Sequence, residues 1–160
     1  MKQENTIEGR RPRLALIATY PKMSEIFLRL AQDLDVVVKN VHASFEQAVE
    51  IACEMEPGLD AILSRGGTAR YIEKAVDIPV VFIPITPFDV VQIVHHMDPA
   101  VKEVAFFHYH RNIRGIRDIE KMYGLQIRDC NFEDREDIFR GVARARDSGI
   151  TTIIGRGVCC

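Results

Sequence analysis

The 160-residue sequence predicts an α/β fold in two similar lobes, each a parallel sheet with crossover helices, the second of them cut short. Three observations carry this. Short apolar runs without polar alternation mark strands covered on both faces. Between these runs, apolar residues recur at spacings of three and four, which gathers them on one side of a helix. The whole alternation then starts again about 90 residues further on, and a repeat of that length decides the architecture.

A polar lead, residues 1–12, comes before the first apolar run, Leu14 to Ala18. Pro21 suits the first turn of the helix that follows, whose stripe is Met23, Ile26, Phe27, Leu30, Ala31 and Leu34. Val36 to Val38 reads as the second strand. Ser44 and Gln47 have the spacing of a capping box, opening a helix that buries Phe45, Ala48, Val49, Ala52 and Cys53 and stops at Pro57 and Gly58. Ala61 to Leu63 is the third strand, closed by Ser64-Arg65-Gly66-Gly67-Thr68. Thr68 takes the N-cap position of a helix whose inner side is Ala69, Ile72, Ala75 and Val76. Val80 to Ile85 makes the fourth strand. Thr86-Pro87-Phe88-Asp89 starts another helix, with proline at its first position and an acid at its third, and leads into Val90, Val91, Val94 and Met97.

The second pass follows the first closely. Val104 to Phe107 matches Leu14 to Ile17, and Ile113, Ile116, Ile119 and Met122 match the first helix, with Gly124 as its stop. Leu125 to Ile127 stands where Val36 to Val38 stood, and Asn131 replaces Ser44 as cap. Phe132, Ile138, Phe139, Val142 and Ala143 form the next stripe, ended by Ser148 and Gly149. Ile153-Ile154-Gly155-Arg156-Gly157 falls where Ile62-Leu63-Ser64-Arg65-Gly66 fell. The expected lobes are 13–100 and 101–160, a Rossmann-like duplication with loops at the carboxyl ends of the strands. Two such edges facing each other make a cleft. The first pass runs on through a further helix, strand and helix, so the natural polypeptide is expected to continue past Cys160.

Composition removes several function classes. Hydrophobic residues make up 47 % of the chain, enough for a buried core. A formal net charge of -2 leaves no global positive field, so no direct nucleic-acid contact by this segment is expected. The N-terminus MKQENTIEGRRPR has no apolar core, and no apolar run approaches the roughly 18 to 20 residues of a membrane span. A cytoplasmic location without membrane contact is therefore expected. Cys53, Cys130, Cys159 and Cys160 lack the paired spacing of a zinc site, and reduced thiols are expected.

The residues best placed for binding are Ser64, Arg65, Gly66, Gly67 and Thr68. Glycines let backbone N–H groups approach an anion, while a helix N-terminus and Arg65 supply positive potential, which suits a carboxylate or phosphate. The spacing fits neither of the two common glycine-rich nucleotide loops. A tight strand-to-helix turn with a solvated arginine explains the segment equally well if it stands alone; its echo in Arg156 and Gly157 favours binding, since two Arg-Gly turns from paired lobes can converge on one ligand. Thr86 and Asp89, and Thr19, Tyr20 and Lys22, fall at the same predicted edge, although capping alone accounts for Thr86 and Asp89. His108 and Tyr109, after the strand at 104–107, are the counterparts of the Thr19 region and are candidates to line the cleft.

Other reactive residues have plain explanations. His108 and His110 have no carboxylate or cysteine partner at metal-ligand spacing, and His95 and His96 suit a helix C-terminal dipole. Cys159 and Cys160 align with Thr68 and Ala69, which points to small residues at a helix start more than to a thiol pair. No nucleophile with a base, and no metal or cofactor site, can be assembled. A phosphorylated receiver would want acids where Ala18-Thr19-Tyr20 and Ser64-Arg65-Gly66 stand. The rival readings are a stand-alone α/β enzyme or cofactor-binding protein using the Arg-Gly-Gly-Thr loop, which turnover of an organic acid would reveal, and a scaffold with an empty cleft.

The stretch Asp60-Ala61-Ile62-Leu63-Ser64-Arg65-Gly66-Gly67-Thr68-Ala69, followed by Ile78-Pro79-Val80-Val81 and Phe88-Asp89-Val90, resembles the N-terminal family of propionate catabolism activators (PrpR). The likeness runs from Arg13 onward. It implies a chelatase-like pair of α/β lobes serving as the sensing module of a sigma-54-dependent activator, joined to an AAA+ ATPase and a helix-turn-helix DNA-binding domain. It also implies a small carboxylate effector of the 2-methylcitrate kind, held between the lobes and acting through differential affinity for two conformations. Phe88 stands where the family often has tyrosine, which removes a hydroxyl from the neighbourhood of Asp89. A homodimer is left open.

Overall fold

The structure, a computed structural model, describes residues 10–109 and 113–155, and in it both passes fold as α/β units with wholly parallel sheets. The chain divides into two compact units between Ile83 and Pro84.

The first unit runs β1 (Arg13–Ala18), α1 (Pro21–Ala31), β2 (Val37–His42), α2 (Phe45–Met55), a 3-10 turn (Glu56–Gly58), β3 (Ala61–Arg65), α3 (Gly66–Glu73) and β4 (Val80–Ile83). Its sheet order is β2-β1-β3-β4. β1 lies inside the sheet, and its residues are apolar on both sides for that reason. Ala15 and Ile17 pack with Ala48 and Ala52 of α2, Ile62 of β3 and Ile72 of α3, while Leu16 and Ala18 pack with Met23 of α1. Ile17, Ile62 and Ile72 are fully buried, each contributing about 1.5–3 kcal/mol of apolar transfer free energy. At the opposite end of the strands, the Asp60 carboxylate accepts the Arg13 amide at 2.7 Å and Arg10 Nη1 at 2.9 Å, tying the entry of β3 to that of β1. The Arg13 amide first, and Arg10 second, hold the Asp60 carboxyl below its ordinary range.

The second unit contains α4 (Pro87–His95), β5 (Glu103–Tyr109), α5 (Ile116–Tyr123), β6 (Gln126–Phe132), α6 (Arg135–Asp147) and β7 (Ile153–Ile154), with sheet order β6-β5-β7. One face is closed by α4 and α5, where Val90 and Val94 meet Val104, Phe106, Ile119, Leu125 and Ile154. Phe107 points the other way, to α6. There Gly141 lets the helix come so close that a Cβ on it would fall 2.6 Å from Phe107 Cε1.

Several local expectations change. The helix at 87–95, grouped with the first lobe on its sequence, packs in the second unit because Val90 and Val94 find their apolar partners there. β3 runs on through Ser64 and Arg65, so α3 starts at Gly66, Arg65 is its N-cap, and Thr68 lies inside the helix. Ser44 is at the N-cap of α2 but makes no side-chain cap bond: Phe45 adopts φ 49, and its amide donates to Thr68 Oγ1 at 3.4 Å. Asn131 belongs to β6, and Asp134 caps α6 by accepting the Asp137 amide at 2.8 Å.

Two outcomes follow. Gly141→Val forces atoms into the buried Phe107 ring and should cost about 1–3 kcal/mol in urea denaturation; an unchanged midpoint would contradict the close approach. Asp60→Asn should lower the melting temperature at pH 7. A depressed carboxyl stabilises the fold above its unfolded value of about 3.9 and loses that contribution as pH falls through the lower folded value, so the gap between the two proteins should narrow as the pH is taken below the unfolded value.

Candidate functional site

In the order β2-β1-β3-β4, β1 connects through α1 to one side of the sheet and β3 through α3 to the other. The chain therefore parts at the carboxyl ends of β1 and β3, the crevice position where open α/β sheets take ligands. Tyr20, N-cap of α1, and Arg65, N-cap of α3, stand at these two ends. No residue separates β3 from α3. Gly66, at φ 60, makes the turn by itself, and no atom lies within 4 Å of where its Cβ would be, so backbone conformation and not space demands glycine there.

Arg65 is 8 % exposed, and its Nη1 donates to Tyr20 Oη at 3.4 Å. The guanidinium cannot shed its charge on burial. It sits where the first N–H groups of α3 begin, and neither α1 nor α3 has an acid in its first turn or a side-chain cap. Two helix starts and a shielded cation thus share one edge, an arrangement that attracts an anion.

The other expected residues divide by role. Ser64 is fully buried and donates to the Ile17 carbonyl at 2.8 Å, so its hydroxyl is spent inside the sheet. Gly67 is buried, and Thr68, 3 % exposed, ties α3 to the start of α2 through the Phe45 amide. Lys22 is engaged by Glu25 at 2.7 Å. Thr86 and Asp89 form a reciprocal capping box on α4 in the second unit: the Thr86 amide donates to Asp89 Oδ2 at 2.7 Å and the Asp89 amide to Thr86 Oγ1 at 3.4 Å. Tyr109 ends β5 and meets the Phe132 ring edge-on at 5.8 Å between centroids. Arg156, Gly157, Cys159, Cys160 and His110 lie outside the described residues.

Ser24 escaped the sequence reading, and His108, read as a candidate to line the cleft, has an acidic partner in Asp129 that the reading did not find. Ser24, 5 % exposed on α1, lies 2.8 Å from Asn40 Oδ1 and 2.7 Å from His42 Nε2 on β2. The hydroxyl donates to Asn40, which leaves the His42 ring N–H to donate to the hydroxyl. Its one sequence signal is a serine beside Met23 on the inner side of a helix. In the second unit His108, 3 % exposed, meets the Asp129 carboxylate through Nε2 and stacks on Phe106. Asp129 also borders a hollow of about 520 Å³ beside β6 and α6, together with Cys130 and Arg144. Burial pushes the Cys130 thiol up, with Asp129 adding to the effect.

Gly66→Ala places a side chain at left-handed φ and should cost about 1–2 kcal/mol of stability in chemical denaturation despite the open space around it. A neutral result would mean that β3 and α3 join differently.

The chain matches known proteins over nearly all of this architecture. Its fold is similar to the crystal structure of an NtrC family transcriptional regulator from Clostridium acetobutylicum, with 28 % sequence identity, a TM-score of 0.86, and coverage of 94 % of this chain and 81 % of that one. Residues 32–160 match the family model described as propionate catabolism activator. That match takes in the second unit and, in the first, everything from β2 onward including the Arg65 turn, and the chain belongs to the propionate catabolism activator N-terminal family.

Proposed function

We propose that this chain is the ligand-sensing domain of a sigma-54-dependent transcriptional regulator, and that it binds a small organic acid at the edge that carries Arg65. The carrying observation is the shielded guanidinium beside Tyr20 at the parting of β1 and β3, with two helix starts free of acids. A carboxylate takes two parallel hydrogen bonds from such a group, and low local dielectric strengthens them. Gly66 and Gly67 add backbone N–H groups at the head of α3.

Ser64 and Thr68 support the site from behind, and Thr86 and Asp89 act as a helix cap. The protein works in the cytoplasm, by binding and not by turnover, and its output passes to an attached AAA+ ATPase and DNA-binding domain. A ligand changes that output only through unequal affinity for two conformations. No described helix is long and apolar enough to cross a membrane.

A thermal-shift series with citrate, 2-methylcitrate, succinate and propionate tests the proposal. An acid at about one hundred times its Kd adds about 2.7 kcal/mol, a rise of about 5–10 °C for a chain of this size. Arg65→Gln should abolish the rise, while Ser64→Ala, whose hydroxyl faces the sheet, should lower the baseline and keep the rise. Stabilisation that survives Arg65→Gln, or none by any acid, counts against the site; consumption of an acid by the pure protein would make it an enzyme.

A further inference from the structure

In the second unit, α6 and the edge strand β6 border a hollow of about 520 Å³, within the range of about 300–1,000 Å³ that small-molecule sites occupy. Small residues make the room. Gly141 and Ala145 lie one turn apart on the buried side of α6. Cys130 of β6 pairs in register with Phe107, so it shares the α6 side of the sheet. The floor is a short apolar patch around a half-buried thiol.

Charges of both signs stand around this floor. Arg128 and Arg144 bring guanidiniums, Asp129 and Asp147 carboxylates, and α6 ends there at Ser148 with the negative pole of its dipole. Asp129 takes part although it lies in register with Phe106 on the other side, because β6 is the edge of its sheet. Both signs reach the Cys130 sulfur: burial raises the thiol first and Asp129 raises it further, while Arg144 and Arg128 lower it. Arg128 is engaged, donating to Glu103 Oε1 at 2.9 Å, and Asp147 accepts from Arg146 at 3.4 Å. Among the described residues, no hydrogen bond or ion pair holds the Arg144 guanidinium, and His108 Nε2 meets Asp129 only at Oδ1, which leaves Oδ2. One donor fork and one acceptor oxygen thus border the same hollow, and the two do not pair with each other.

We propose that this hollow binds a free α-amino acid with a small apolar side chain, its carboxylate on Arg144, its ammonium on Asp129 Oδ2 beside the end of α6, and its side chain over Gly141, Ala145 and Cys130. A simple anion would be opposed by Asp129 and by the helix end, and a simple cation by Arg144. A zwitterion meets both with charge-assisted hydrogen bonds. The site lies wholly in the second unit and uses no residue of the Arg65 edge, so it stands or fails separately from the acid proposed there.

Cys130 serves as a reporter inside the site. Its alkylation by iodoacetamide is followed peptide by peptide by mass spectrometry in the presence of alanine, valine or leucine, with sodium acetate and methylammonium chloride as single-charge controls. An amino acid at about ten times its Kd leaves about one site in ten open and should slow Cys130 about tenfold, while the exposed Cys53 keeps its rate. Acetate and methylammonium should leave both thiols unchanged. Arg144→Gln should remove the protection, read as the rate ratio with and without amino acid in the same variant, whereas Arg146→Gln and Arg65→Gln should keep it. No protection by any of the three amino acids at millimolar concentration overturns the proposal. So does equal protection by acetate or methylammonium alone, or protection that survives Arg144→Gln.

Discussion

Parallel pairing throughout both sheets is the constraint from which the rest follows. Strands that all run the same way need crossover connections, crossovers place helices on the faces, and covered faces admit apolar side chains almost alone. Polar chemistry is pushed to the carboxyl edge, where strands end and helices begin. Tyr20, Arg65, Tyr109 and the Ser24–His42 group all stand at such ends, although they come from distant parts of the chain.

The same constraint governs the division of labour at the Arg65 turn. Side chains alternate across β3, so Ser64 and Arg65 point to opposite faces. Ser64 is turned toward the α2 side, where its hydroxyl finds the Ile17 carbonyl, and Arg65 toward the α1 side, where it finds Tyr20. One residue holds the edge together and its neighbour carries the charge. Thr68 does a third job: it accepts the amide of Phe45, a bulky residue held at positive φ, and so supports the start of α2.

Much of this architecture was legible in the sequence. Uninterrupted apolar runs placed β1, β3 and β5, and the repeat at about 90 residues called for two α/β lobes. The Thr86 and Asp89 pattern became the cap it resembles because its determinants lie within four residues. Where readings shifted, nonlocal contacts decided. Ser44 has the spacing of a capping box, but Thr68, more than twenty residues away, takes the Phe45 amide. Asn131 was read as a cap because it stands in the second pass where Ser44 stands in the first, and pairing with His108 draws it into β6 instead. The allegiance of α4 was invisible, since an apolar stripe states that a helix is buried and not against what. Asp129 and His108 come together only through the parallel register of β5 and β6, which no local spacing encodes.

The missing loop between β3 and α3 has its own consequence. A binding group on a flexible segment can follow ligands of different shape, at an entropic cost for each one it holds. Arg65 has no such slack, because its backbone is at once the end of a strand and the cap of a helix, and Gly66 completes the bend alone. In the proposed binding role, an anion would encounter a guanidinium whose backbone anchor is already set, so little backbone ordering entropy would be lost on contact. In that same role, discrimination among acids would rest on how well their length and branching fit a fixed position, with charge common to all of them.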